Sequence, residues 1–133
     1  MKLGYTILYV DDVPVTLDAW RKAFGLVVSY EHEDGIYAEL ETGETTLSFA
    51  QTEFGRDHFE DSDTRALFDG PPSRFEIVLV TQDVKAAYIT ATMAGMTAVN
   101  PPLEKPWGQT VAYVRDPNGI LVELASPMPN ESK

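Results

Sequence analysis

The sequence contains one pattern twice, at a constant offset of 71 residues. A short β-branched and aliphatic run with an aspartate near its end occupies residues 5–13, and a similar run occupies residues 76–84. Each run leads into a stretch with apolar residues at spacings of three and four, which ends at Gly25 or Gly95. These features predict a strand, an N-capping aspartate and a helix that stops at glycine. Because internal repetition fixes the architecture, two copies of one unit are expected.

Three strand-like runs follow each glycine. They cover residues 26–30, 36–40 and 45–50 in the first half, and 97–99, 110–114 and 120–125 in the second. The last two runs flank Asn118-Gly119, which is a strong hairpin signal. The predicted fold class is therefore α+β, with two tandem βαβββ modules whose curved mixed sheets form a cleft. The expected boundaries are module 1 at about 1–52, an acidic linker or lid at about 53–73 with one short helix at 63–68, module 2 at about 74–128, and a tail at 129–133.

Charge and cysteine content exclude several classes of function. A formal net charge of −11 repels nucleic acid and anionic membranes at long range. The absence of cysteine excludes a disulfide scaffold, thiolate metal sites and a cysteine nucleophile. No apolar run approaches the roughly 20 residues that cross a bilayer, and no signal-peptide pattern opens the sequence. A cytoplasmic protein without nucleic-acid or membrane partners is expected.

Alternation along the strands predicts which side chains share a face. In the last run of the second half, residues 120, 122 and 124 are apolar and suited to lying under a helix. Glu123 would lie on the other face, among apolar neighbours, where a charge requires a partner or a function.

The second half of the sequence also contains three local motifs. They are Trp107-Gly108-Gln109, the run from Tyr113 to Gly119 (YVRDPNG), and Leu121-Val122-Glu123-Leu124. Together with the doubled βαβββ unit, this pattern resembles the vicinal oxygen chelate superfamily, which includes glyoxalase I, the bleomycin-resistance proteins and extradiol dioxygenases. The resemblance covers nearly the whole chain. It implies the fold but does not settle the function.

In metal-using members of this superfamily, four inward positions hold the metal, one in the first and one in the last strand of each half. The repeat maps these positions onto Tyr5, Ser48, Glu76 and Glu123. Two acids are kept, but a tyrosine and a serine are poor ligands for a divalent ion at neutral pH.

The resemblance also bears on the dioxygenases, which need two histidines and a carboxylate for iron(II). His32 and His58 fall in a turn and in the linker, away from the four positions, so the dioxygenase branch is nearly excluded. Both histidines are expected to be solvated.

Seven residues are candidates for binding a ligand, and several have a structural alternative. They are Tyr5, Tyr37, Ser48, Glu76, Trp107, Tyr113 and Glu123. For Tyr37 and Tyr113 core packing is the favoured alternative, and Trp107 either lines the cleft mouth or packs beneath the Pro106 loop. Glu76 and Glu123 have ion pairs with Arg74 or Arg115 as their alternative.

The favoured function is binding of a small cationic molecule in the cleft of a homodimer, without a tightly held metal or other cofactor. The alternative is a metal-dependent lyase or isomerase of the glyoxalase I type. In that case Glu76 and Glu123 would hold the divalent ion, and one of them would move a proton. A dioxygenase or a regulatory partner domain is less favoured.

Overall fold

The computed structural model describes residues 1–72 and 74–129, so the predicted tail lies outside the described residues except for Pro129. The chain divides into two compact units between Pro71 and Pro72, except that Lys22–Phe24 belongs to the second unit. The elements of the first unit are β1 Tyr5–Val10, α1 Val13–Phe24, β2 Val27–Glu31, β3 Tyr37–Glu41, β4 Thr46–Gln51, α2 Thr52–Arg56 and α3 Ser62–Ala66. Those of the second are β5 Ile77–Val80, α4 Val84–Met93, β6 Thr97–Glu104, β7 Thr110–Arg115 and β8 Leu121–Ala125. Among the described residues, no helix is long and apolar enough to span a membrane.

Each unit contains one four-stranded mixed sheet, and the two sheets have the same topology. The strand orders are β1-β4-β3-β2 and β5-β8-β7-β6. The first pair in each order is parallel and the other two pairs are antiparallel. The predicted α+β fold of two βαβββ modules is confirmed.

The helix that follows the first strand of each unit begins where the sequence predicts. Asp12 accepts a hydrogen bond from the backbone of Val15, and Asp83 accepts one from the backbone of Ala86. These caps satisfy N–H groups that would otherwise lack a partner at the start of a helix. Both helices therefore begin with the same capping interaction at equivalent positions of the repeat.

One face of each sheet is buried, and the other, called the open face, is exposed along the first strand, although Ser48 and Ala50 of β4 are buried on it. In the first unit, the Trp20 ring of α1 is fully buried and packs edge-on against Phe49 of β4, with ring centroids 5.1 Å apart. In the second unit, Val122 and Leu124 of β8 are buried, whereas Val78 of β5 is 46% exposed. The alternation predicted from the sequence thus assigns the faces correctly.

The linker differs from its prediction because it contains two short helices, α2 and α3, rather than one. Arg56 joins its two ends through ion pairs with Glu53 and Asp69. Phe68 packs edge-on against the Tyr9 ring of β1 with a centroid distance of 4.6 Å. A Cβ added at Gly55 would lie 2.7 Å from Phe68 and closer still to Tyr9, so this glycine allows the linker to approach the sheet.

β6 is longer than predicted because its prolines do not end it. The sequence predicts a strand over 97–99, whereas the observed strand continues through Pro101 and Pro102, which lack the N–H group that a strand interior normally requires. β6 is an edge strand, however, so one side of its backbone needs no partner. Its pairing with β7 also shifts register between Asn100 and Leu103, around the two prolines. The pair of prolines is therefore accommodated within the strand.

Candidate functional site

The open face of the second sheet brings two of the candidate acids together. Glu123 of β8 pairs with Val78 of β5 on one side and with Tyr113 of β7 on the other. Glu76 directly precedes β5, so its side chain lies on the face that also carries Val78. The site is thus built from three adjacent strands of one sheet.

Glu76 and Glu123 lie close enough for their carboxyls to interact. A hydrogen bond to Glu123, followed by partial desolvation and the negative charge of Glu123, raises the pKa of Glu76 from 4.5 to about 7, while the Glu76 side chain stays largely exposed. Two carboxylates cannot hydrogen-bond to each other, so the contact requires a proton on one of them. Below pH 7, the Glu76 carboxyl O–H donates to the Glu123 carboxylate, and the pair carries one negative charge instead of two.

Tyr113 supplies a second donor to the same carboxylate. Its hydroxyl donates to Glu123 Oε1 over 2.9 Å. Burial, followed by this hydrogen bond and the nearby charges, raises the pKa of Tyr113 to about 12. Tyr113 therefore remains a protonated donor at physiological pH and holds the Glu123 side chain in place.

The open face of the first sheet carries a different network. The hydroxyl of Tyr37 donates to Glu39 Oε2 over 2.7 Å, and it lies 2.9 Å from Ser48 Oγ. Since the tyrosine proton goes to Glu39, the Ser48 hydroxyl donates to Tyr37. Burial is the largest of the effects that raise the pKa of Tyr37. Ser48 itself is fully buried.

Neither Tyr37 nor Tyr113 is packed in a core. Both side chains are half-buried, and both lie on the open face of their sheet with the hydroxyl in a polar network. The core-packing interpretation is therefore wrong for both residues. It arose because these strands have apolar residues on both faces, which left the direction of the two rings undetermined.

Tyr5 and Trp107 are both more than half exposed. Tyr5 is 57% exposed on β1, where it shares the open face with Ile7 and Tyr9. Trp107 is 55% exposed in the β6–β7 turn, and its indole N–H donates to Gln109 Oε1 over 2.9 Å. The Trp107 ring is thus oriented by a hydrogen bond rather than by burial.

The histidines have local hydrogen bonds. His32 Nδ1 accepts from the backbone N–H of Asp34 within the β2–β3 turn. His58 Nδ1 is 2.9 Å from the carbonyl oxygen of Phe54 in the linker. Each histidine therefore contacts backbone atoms close to it in the sequence, His32 within its turn and His58 at the end of α2.

The donor groups do not suit a divalent metal. Among residues 1–72 and 74–129, no three His, Asp or Glu side chains come together as a metal ion would require. The Ser48 hydroxyl is neutral, and its O–H group already donates a hydrogen bond to the Tyr37 hydroxyl. A phenol such as Tyr5 is also a weak ligand at neutral pH. No chemical step is therefore assigned to a metal here.

The sequence did not single out Glu39 as a candidate. Glu39 lies on the open face of β3 directly opposite Ser48 of β4. The alternation of Tyr37, Glu39 and Glu41 with buried Ala38 and Leu40 could have placed it there. It was missed because the superfamily pattern directs attention to the first and last strands of each module.

Glu76 and Glu123 form no ion pair with an arginine within the part of the chain that the structure describes. The carboxyl of Glu76 interacts instead with that of Glu123. The structural alternative of an ion pair with Arg74 or Arg115 is therefore wrong, and no cation among the described residues pairs with the two carboxyls.

Comparisons with known proteins find relatives both in sequence and in structure. The chain is 26% identical over 125 residues to the uncharacterized protein YraH of Bacillus subtilis (strain 168), covering 93% of this chain and 97% of YraH. A glyoxalase/bleomycin resistance protein/dioxygenase family enzyme from Burkholderia phytofirmans PsJN has a similar structure, with a TM-score of 0.80 and 19% identity over 95% of this chain and 98% of that one.

A lactoylglutathione lyase from Agrobacterium tumefaciens is also similar, with a TM-score of 0.72 and 19% identity over 98% of this chain and 96% of that one. At such identities a structural likeness shows the fold and leaves the activity open. The model of the Glyoxalase/Bleomycin resistance protein/Dioxygenase superfamily matches residues 2–124. With a match over nearly the whole chain and the same doubled fold, the protein belongs to this superfamily.

Proposed function

We propose that the protein binds a small cationic molecule at the Glu76–Glu123 pair without a tightly held metal. The contact between these two carboxyls carries the proposal, because it places two acids together and neither forms an ion pair with a basic side chain among the described residues. Like charges this close disfavour each other unless a proton or another cation lies between them. An ammonium or guanidinium group of a ligand would replace the proton.

The surroundings of the pair supply apolar area as well as charge. Val78 and Val80 of β5 are 46% and 64% exposed on the same face. The half-buried Tyr113 ring adds an aromatic surface, which favours a nearby cation. Small-molecule sites commonly combine mostly apolar walls with a few placed polar groups. A cation attached to an aromatic or aliphatic body is the ligand class that fits.

Calorimetry with matched compounds tests this function. In the presence of a metal chelator, phenethylamine and a bleomycin-type drug are expected to bind. The neutral 2-phenylethanol is expected not to bind. Glu76→Gln and Glu123→Gln should each weaken binding by about 1–3 kcal/mol, the scale of a hydrogen bond to a charged group. Glu104→Gln, which changes an exposed acid on β6, is the matched control and should leave affinity unchanged.

The opposite result would favour the lyase alternative. One tightly held divalent ion per chain, lost in Glu123→Gln, together with metal-dependent isomerisation of a thiohemiacetal, would overturn the proposal. Equal binding of phenethylamine and 2-phenylethanol would also contradict it.

We also propose that the protein is a homodimer. β1 is an edge strand of the first sheet, and Tyr5, Ile7 and Tyr9 are each more than 40% exposed on it. Exposed apolar edge strands tend to be paired or covered. Light scattering should therefore give about twice 14.7 kDa. A monomer at micromolar concentration would contradict this.

A further inference from the structure

A pocket of about 490 Å³ lies in the second unit beside the carboxyl pair. Its walls come from the segment before β5 and from the turn between β7 and β8. The residues that matter for its chemistry are Arg74, Phe75, Glu76, Arg115, Gly119 and Leu121. Since Glu76 belongs to both features, the pocket and the carboxyl pair are continuous.

Two of the five arginines in the chain line this pocket. The linker arginines form ion pairs, because Arg56 pairs with Glu53 and Asp69, and Arg65 Nη1 lies 3.9 Å from Asp57 Oδ1. Neither Arg74 nor Arg115 forms an ion pair with any described residue. The exposed Arg21 of α1 likewise forms no ion pair with a described residue, so what distinguishes Arg74 and Arg115 is that both line one pocket in a chain with a net charge of −11.

The geometry of Arg115 leaves most of its donors available. Its Nη1 donates to the carbonyl oxygen of Gly119 over 3.0 Å, which fixes the guanidinium against the β7–β8 turn. A guanidinium has five N–H donors in a planar fork that matches an oxyanion. Phe75, which is 46% exposed, adds an aromatic wall.

Glu76 is the only acid among the described residues that line the pocket. Its carboxyl is engaged with Glu123 rather than with either arginine. The pocket therefore presents positive charge directly beside a carboxyl pair that presents negative charge.

We propose that this pocket binds the oxyanion group, a carboxylate or a phosphate, of the ligand whose cationic group lies at Glu76 and Glu123. The ligand is then a zwitterion, with its two charges separated by no more than the width of the pocket. This inference rests on the proposed function, since it names the second charged group of the same ligand.

Three compounds with one aromatic body separate the two sites: phenethylamine carries the cation, 3-phenylpropionate carries the anion and free phenylalanine carries both. Free phenylalanine is expected to bind at least about tenfold more tightly than phenethylamine, because it adds charge-assisted hydrogen bonds to the arginines. Arg74→Gln should remove this advantage by weakening the binding of free phenylalanine, and it should not weaken the binding of phenethylamine. Arg21→Gln, at an exposed arginine of α1, is the matched control.

Arg74→Gln is the primary variant because Arg74 makes no hydrogen bond in the described structure, whereas Arg115 supports a turn. Arg115→Gln is the second variant and is read only alongside its unfolding temperature. Inorganic phosphate, competed against 3-phenylpropionate, distinguishes a phosphate from a carboxylate as the preferred group. Either preference supports the oxyanion site.

The remaining outcomes distinguish the two proposals. If phenethylamine binds but free phenylalanine gains nothing and Arg74→Gln has no effect, the oxyanion site is wrong and the proposed function stands. If 3-phenylpropionate or phosphate binds through Arg74 while phenethylamine does not, the pocket is an anion site and the proposed function is wrong. If no compound binds, both are overturned.

Discussion

Binding of phenethylamine is expected to weaken about 30-fold between pH 8 and pH 5.5, because a proton and the ligand compete for Glu76. The pKa of Glu76 is raised to about 7 by its hydrogen bond to Glu123 and by burial. At pH 8 the group is mostly ionised and ready to accept a cation. At pH 5.5 it lies about 1.5 pH units below its pKa, and each unit costs about a factor of ten in affinity. The ligand itself stays charged throughout this range.

Calorimetry in buffers of different ionisation enthalpy measures independently how many protons are released when the cation binds. At pH 6, binding of the cation should release close to one proton per site, since Glu76 must lose its proton as the cation enters. In Glu76→Gln the affinity should be lower and nearly independent of pH. A wild-type affinity that is flat from pH 5.5 to pH 8, or that rises as pH falls, would show that the cation does not displace this proton.

The fold could be predicted from the sequence because its signals are local and repeated. The capping aspartates Asp12 and Asp83, the glycines that end the helices and the two-residue alternation each act over a few residues. The repeat then applies each of these signals twice. This redundancy is why the fold and the buried face of the last strand in the second sheet were predicted correctly.

The site was only partly predictable because its contacts depend on side-chain direction and on edge positions. The sequence placed Glu123 on an open face, but it could not choose between an arginine and Glu76 as its partner. That choice depends on where the chain before β5 runs, which is a tertiary property. Pro101 and Pro102 likewise signal a strand end unless β6 is known to lie at the edge of its sheet.

Asp116→Ala is expected to lower the free energy of unfolding by about 3 kcal/mol, with a direct consequence for the site. Asp116 is 3% exposed, and its Oδ1 accepts from the backbone N–H groups of Asn118 and Ile120, each over 2.8 Å. Its Oδ2 accepts from the Asn118 side chain over 2.8 Å. Alanine would leave a buried N–H without an acceptor, and each such group costs about 1–3 kcal/mol. Denaturation in urea measures the change.

Asp116→Asn is the matched control, because it keeps one oxygen acceptor of the same shape and should lose less than half as much stability. The two variants also test how the turn serves ligand binding. Arg115 precedes this turn and Glu123 follows it in β8, so loosening the turn should weaken the oxyanion and cation contacts together. Equal stability of Asp116→Ala and wild type would mean that the turn is held by its backbone alone. Reduced stability with unchanged free-phenylalanine affinity would mean that the turn does not position the site.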